Sequence, residues 1–441
     1  FYGQAPDSIY TTQNVYRLRW YTGSQTTTWP SAPTSQPPDS VTFVDTIHFE
    51  QDNDGMPGLA ATPVTDYWMW DYCTAGQTGK LFTVHLDGVA SAPSELATLV
   101  VSLFGGTSSG MTNEHHVVIK LNGTQIGEAR WDGIVAADTM LAFSQSLLVE
   151  GDNTVDLTAV LDSGVPYSIV YLDSFVVAFH SRYEAVSGQL VFLGDGNGAV
   201  LVRGFTNANV RVFEISDPLN PRFVTGTTVS QTGALYCVSF APAGPTVPYV
   251  AYAPAKEVSS ITVDSPSDLK ATTNSAQYVV ITAQALKSTA QTLADYRQAK
   301  GLRTMVVLVE DIYDEFNDGM PSPDAIRSFL SYAVFKWAGP PQYVVLAGEG
   351  TYDYKNVKGL GNNIVPPIMS STPDGLAASD NRFADLNDDK VPEIAIGRLP
   401  AMTGAELQVM INKIIAYEAS ATNVWKSRII LAADNPDSNG A

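Results

Sequence analysis

From residue 277 onward the chain repeats one unit: a short, uninterrupted apolar run, then a stretch with helical spacing. The runs are QYVVITA (277–283), RTMVVLV, QYVVLAG (342–348), IAIGRLP (394–400) and SRIILAA (427–433). Runs without polar alternation predict strands buried on both faces, and such strands belong to a parallel sheet covered by helices on each side. The intervening stretches supply those helices. Leu286, Ala290, Leu293 and Tyr296 share one face, and Gly301 ends that segment. Ser322-Pro323 is a cap followed by a proline at the first helical position, and Ile326, Phe329, Leu330, Ala333 and Trp337 follow on one stripe. Thr403 and Glu406 form a capping box ahead of Leu407, Met410, Ile411 and Ile414. The pattern predicts a sheet still unfinished at residue 441, in a protein that continues.

The first 275 residues follow a different pattern. Residues 1–45 are rich in Thr, Ser, Pro and Tyr and predict an extended arm. Residues 46–180 hold short alternating runs between turn signals, among them LFTVHLDGV, ATLVVSLFGG and YSIVYLDSFVVAF. Asn122-Gly123, between VVIKL and TQIG, predicts a tight hairpin, because both turn positions need positive φ. This is a β-sandwich pattern of jelly-roll type. Residues 181–265 predict a second β domain, with DPLNP as a turn. Residues 266–275 form a polar linker, and 276–441 the α/β domain.

The 45 acids and 25 bases give a formal charge of −20. An acidic surface repels phosphate, which argues against nucleic acid and anionic membranes as partners. No run of about 18 apolar residues spans a bilayer. The chain begins at Phe1 without a charged-then-apolar leader, the pattern of a processed secreted protein or an internal fragment. Cys73 and Cys237 are the two cysteines. They are as consistent with separate buried thiols as with one bridge.

Polar groups at the carboxyl ends of parallel strands are the place to look for chemistry. Here they are Glu310-Asp311, Glu349 to Asp353, and Asp434. All five histidines (His48, His85, His115, His116, His180) precede residue 181, and no cysteine follows Cys237. The α/β segment therefore cannot complete a Cys-His or Ser-His pair from its own residues. His115 and His116 are adjacent on a predicted strand and point to opposite faces, so they do not converge on one ion. His85 and His180 sit in apolar strands, as core or rim residues. Asp385, Asn387 and Asp389 place oxygens at alternate positions, as at the start of a calcium loop. Lys390 stands where that loop has its turn glycine, and Ile396 where an EF-hand has its closing Glu.

The segments QYVVITAQALKSTAQTLADYRQAKGLRTMVVLVEDIYDEF, SPDAIRSFL, QYVVLAGEGTYDY, SDNRFADLNDDKVPEIAIGRLP and INKIIAYE, in this order over about 277–434, resemble the gingipain family of cysteine endopeptidases. The β-rich region, with DPLNP after a paired strand, resembles the N-terminal regions of large bacterial members. The resemblance implies a caspase-like sheet, truncated here, carrying a Cys nucleophile, a His base and an acid that orients the His. The acid aligns with Asp434. The His and Cys would lie beyond residue 441, and Glu349 replaces the Asp that many relatives carry. Family members bind calcium. The implied protein is a secreted or cell-surface endopeptidase acting on protein or peptide, partnered by the remainder of its own precursor. The alternative is a non-catalytic extracellular structural or adhesive protein with a degenerate peptidase-like domain. In that case the sandwich would bind surface glycan through Trp68, Trp70 and Trp131.

Overall fold

The computed structural model describes residues 8–12, 15, 28–30, 42–60, 66–91, 94–218, 220–255, 263, 266–361, 363–420 and 424–431. Most of the predicted arm, and Asp434, lie outside the described residues. The described chain is multidomain, β-rich at first and α/β after residue 276.

The β-rich part begins with two antiparallel sheets. One runs Ala136–Ser144, Leu96–Gly105, Ile169–Arg182, Thr42–Glu50; the other runs Lys80–Leu86, Gly151–Ala159, His115–Leu121, Thr124–Trp131. Alternate residues of these strands fill one core, including Phe82, Val101, Ile119, Val155 and Phe175. The hairpin at Asn122-Gly123 forms as its sequence demands, with φ of 48° and 82°. A second β core gathers Phe192, Phe205, Phe240 and Tyr249. Cys73 and Cys237 are both free and buried, so no bridge joins them.

Glu114, 2% exposed, staples the loops at one end of the sandwich. It accepts from Ser109 N–H, from Ser109 Oγ at 2.6 Å and from Gly133 N–H at 2.8 Å. Burial pushes this carboxyl up, but the bonds from Ser109 and Gly133 outweigh it and hold the group down at about 2. A depressed carboxyl stabilises the fold above its unfolded value, near 4.5, and loses that contribution as pH falls toward 2. Glu114→Gln should therefore cost about 2 kcal/mol at neutral pH. Urea melts should show the gap from wild type closing between pH 4.5 and 2; a gap independent of pH contradicts this.

The α/β part has strands β1 (Tyr278–Thr282), β2 (Thr304–Leu308), β3 (Tyr343–Ala347) and β4 (Ala395–Leu399), all parallel, in the order β2-β1-β3-β4. Its helices are α1 (Lys287–Ala299), α2 (Val309–Phe316), α3 (Pro323–Lys336) and α4 (Gly404–Ala419). Side chains alternate along a strand, so β1 feeds two cores. Val279 and Ile281 pack with Ile312, Ile326, Phe329 and Leu330, while Tyr278 and Val280 pack with Leu286, Ala290, Leu293 and Ile411. Helices thus cover both faces. Ser322 caps α3 with Pro323 at its start, and the Thr403–Glu406 box opens α4.

The expected strand at 427–433 is not formed over its described residues. Val424–Ser427 is a single 3-10 turn, and no strand follows through residue 431. Ile429, Ile430 and Leu431 are 86%, 91% and 92% exposed. An apolar run becomes a strand only when a ladder accepts it, and among the described residues none pairs with this one.

By contacts the chain divides into two units. The β-rich unit holds Phe1–Pro266 together with Tyr352–Leu360 and Met369–Ala378; the α/β unit holds the rest. Within the β-rich unit, Trp68 stacks on Tyr352 with centroids 6.2 Å apart, and Tyr67 Oη donates to the Tyr352 carbonyl at 2.6 Å. Lys355 pairs with Asp52 at 2.8 Å and Lys358 with Asp54 at 2.5 Å. Met369 and Leu376 join the same small core as Tyr67 and Trp68.

Candidate functional site

The carboxyl edge of the sheet is built by close backbone approaches. At the end of β3, Gly348 N–H donates to the Leu399 carbonyl and Glu349 N–H to that of Ala401, both at 3.0 Å. The Glu349 carbonyl accepts from Ile364 N–H at 3.0 Å and Val365 N–H at 3.1 Å. The returning 364–367 segment leaves no room for side chains on either flank of Glu349. A Cβ on Gly348 would sit 2.4 Å from Ile364 Cγ2, and one on Gly350 would sit 2.5 Å from the Val365 carbonyl oxygen. This is the physical content of the AGEG run. Thr282, at the end of β1, donates from Oγ1 to the Ala347 carbonyl at 2.6 Å, tying neighbouring strand ends together.

The acids predicted for this edge have separate roles. Glu310 accepts from Gln284 N–H at 3.1 Å, fixing the turn that leads into α1. Glu349 is exposed, its backbone alone engaged as described. Asp353 is fully buried and belongs to the β-rich unit, where it accepts from Val357 and Lys358 N–H groups, both at 2.7 Å. It is a turn former rather than an edge group.

In the acidic loop, Asp385 is fully buried. Its Oδ2 accepts from Arg382 at 2.8 Å and from Lys390 N–H at 3.2 Å, whereas its Oδ1 is buried with no partner. Asn387 accepts from Asp389 N–H at 3.0 Å and donates to Asp389 Oδ2 at 3.2 Å, and Asp389 Oδ1 accepts from Val391 N–H at 2.8 Å. Lys390 takes φ of 72°, the left-handed conformation that a calcium loop assigns to glycine. The unpartnered Oδ1 of Asp385 fits a hard cation, which takes oxygen ligands; the Asn387 and Asp389 side chains are spent on each other and on the turn. Arg327 and Arg382 both donate to Asp388, at 3.0 and 2.8 Å, and hold its carboxyl below the usual range, the Arg382 bond contributing most. The sequence pattern contained no hint of this guanidinium pair.

A second acidic group went unnoticed in the sequence. Glu50, Asp52 and Asp66 each offer an oxygen within 4.8 Å of the others, although Lys355 already supplies a cation to Asp52. The histidines do not gather. His115 is fully buried, with Nδ1 at 2.8 Å from Ser168 Oγ and Nε2 at 3.0 Å from the Thr107 carbonyl. His116 turns the other way, between Asp162 at 3.1 Å and Glu128 at 3.2 Å. His85 is an exposed surface residue, bonded to Asp152 at 2.6 Å, rather than part of the core. Burial pushes the Cys73 thiol up to about 11, which disfavours the thiolate. Trp68 and Trp70 are 0% and 9% exposed, and Trp131 is partly buried and packs against the sandwich core and His115, so these aromatics pack inward rather than form the glycan platform of the alternative reading.

A parallel sheet with helices on both faces defines the α/β class, in which sites form beyond the carboxyl ends of the strands. Residues 271–441 match the model of Peptidase family C25. The α/β segment is thus similar to the gingipain-like cysteine peptidase family that its motifs resemble. The whole described fold is similar to the crystal structure of dimeric latent PorU from Porphyromonas gingivalis, at 18% identity and a TM-score of 0.62, over 89% of this chain and 40% of that one. The chain therefore spans two fifths of that protein. A structure described as a protease is 19% identical over 32% of this chain and 28% of its own, with a TM-score of 0.24. A family 35 carbohydrate binding module from an environmental isolate is 18% identical over 30% of this chain and 91% of its own, with a TM-score of 0.22. At those scores neither bears on the fold. Comparison with curated proteins finds no match. Among the described residues, no helix is long and apolar enough to cross a membrane.

Proposed function

We propose that this chain is the N-terminal part of a secreted or cell-surface cysteine endopeptidase that cleaves protein substrates. The observation that carries the reading is the family C25 match falling on the α/β segment, whose sheet has ordered loops at its carboxyl edge. Residues 271–441 contain neither Cys nor His, and in this reading the nucleophilic Cys and the His base are supplied by polypeptide outside residues 1–441. Asp434 orients the His. The thiolate attacks the peptide carbonyl, the His gives its proton to the leaving amine, and water then hydrolyses the thioester, releasing the carboxylic acid and restoring the thiol. The β-rich unit serves as a prodomain, folding aid or surface-attachment module. The test is hydrolysis of casein by the full-length protein. Cleavage abolished by iodoacetamide is expected; no cleavage, or cleavage indifferent to alkylation, refutes the reading.

Calcium belongs to the same proposal. Asp385 would hold the ion through its free Oδ1, with Asn387 and Asp389 turning toward it, and the ion would brace the loop ahead of β4. Millimolar calcium should raise the melting temperature by about 5 °C. Asp385→Asn should remove that shift. A shift that survives Asp385→Asn but disappears in Asp66→Asn would move the ion to the Glu50, Asp52 and Asp66 group.

A further inference from the structure

Arg398, in the IGRLP run, stands at the carboxyl end of β4, in register with Leu346 of β3. Its side chain is only 13% exposed. Nε and Nη2 form a fork on Asp380 at 2.8 and 2.7 Å. Nη1 donates to the Gly348 carbonyl at 2.8 Å and the Val365 carbonyl at 2.6 Å. One guanidinium thus joins three separate stretches of backbone: the exit of β3, the segment returning to it, and the turn at Asp380–Phe383. Both chain excursions assigned to the β-rich unit start and finish near these points in sequence, at 351 and 361 and at 368 and 379. Only arginine has the planar, multi-donor head for this set of acceptors; a lysine ammonium cannot form the fork and also reach both carbonyls.

We infer that Arg398 is a positioning residue for substrate. Its guanidinium fixes where the 348–351 and 363–366 backbone stands at the carboxyl edge, and so how an extended peptide seats there. The inference rests on the peptidase reading for the identity of the substrate, but the latch itself is observable without activity. The Gly348, Glu349, Ile364 and Val365 amides that it secures are all hydrogen-bonded. Strand core amides such as Val279 to Ile281 lie outside its reach.

The test compares Arg398→Lys and Asp380→Asn with wild type in the full-length protein. Hydrogen exchange at residues 348–351 and 364–365 should quicken about tenfold while 279–281 stay protected. Labelling of the reactive thiol by a peptidyl acyloxymethyl ketone, which must seat as a peptide, should slow about tenfold. Labelling by iodoacetamide, which needs no seat, should keep its rate. Unchanged exchange in both variants overturns the inference. So does equal slowing of the two reagents, which would mark a purely structural residue. Wild-type protein that reacts with neither reagent would defeat the peptidase reading, and substrate seating with it, while the exchange result would still judge the latch. Asp380→Asn leaves both carbonyl bonds in place, so it serves if Arg398→Lys fails to fold.

Discussion

Asp434→Ala in the full-length protein should lower kcat on the order of 100-fold or more, with the melting temperature almost unchanged. A free thiol, with a pKa near 8.5, is mostly protonated at neutral pH. An imidazolium beside it favours the thiolate, and a carboxylate on the other ring nitrogen fixes the ring and favours its charge. Removing the carboxylate leaves a His that spends little time in the useful orientation. Asp434→Glu should keep most of the activity, because it keeps a carboxylate at this place. Turnover by Asp434→Ala equal to wild type would strip the residue of its assigned role, whatever its effect on stability.

The second large effect concerns the fold at the carboxyl edge. Gly350→Ala should destabilise the protein by about 2–3 kcal/mol. The new Cβ would meet the Val365 carbonyl at 2.5 Å and Pro367 Cδ at 2.7 Å. Neither is the far end of a flexible side chain, so relief requires the returning segment to move. Gly397→Ala is the matched control, since a Cβ there meets nothing within 4 Å, and its effect should stay within about 0.5 kcal/mol. Denaturant melts measure both. Equal costs would show that the crowding around Gly350 has been misjudged.

Gly397 lies within a predicted strand and Gly350 two residues past the end of one, and nothing in the local sequence marks either as crowded. What separates them is the 364–367 segment, which arrives from well down the chain, so the constraint could not be read locally. The layered sheet was legible because uninterrupted apolar runs such as YVVIT (278–282) have no exposed face to hide. Helix α2 was not: VEDIYDEF follows β2 directly, and no side chain caps its start at Leu308. The run at Ile429 to Leu431 shows the converse. Its composition says strand, yet strand formation needs a neighbour, and sequence alone does not supply one.

The candidate site divides the same way. Alternate oxygens at Asp385, Asn387 and Asp389 were visible as a spacing; that Asp385 is buried, with an Oδ1 that has no hydrogen-bond partner among the described residues, was not. The guanidinium groups of Arg327 and Arg382, which neutralise the loop, were not visible, because Arg327 reaches it from α3. The Arg398 fork on Asp380 spans 18 residues through tertiary structure and carries no local signature. Trp68 and Trp70 would be a glycan platform only in the alternative reading; aromatics in such strands are more often core, and these two are buried.

The central claim is that the reactive thiol of the proposed peptidase is supplied from outside residues 1–441. The most direct measurement is mass-spectrometric mapping of the cysteine modified by a peptidyl acyloxymethyl ketone in the native full-length protein. A single modified cysteine downstream of residue 441, with Cys73 and Cys237 untouched, is the predicted result. Modification at Cys73 or Cys237, or at no cysteine, would contradict it.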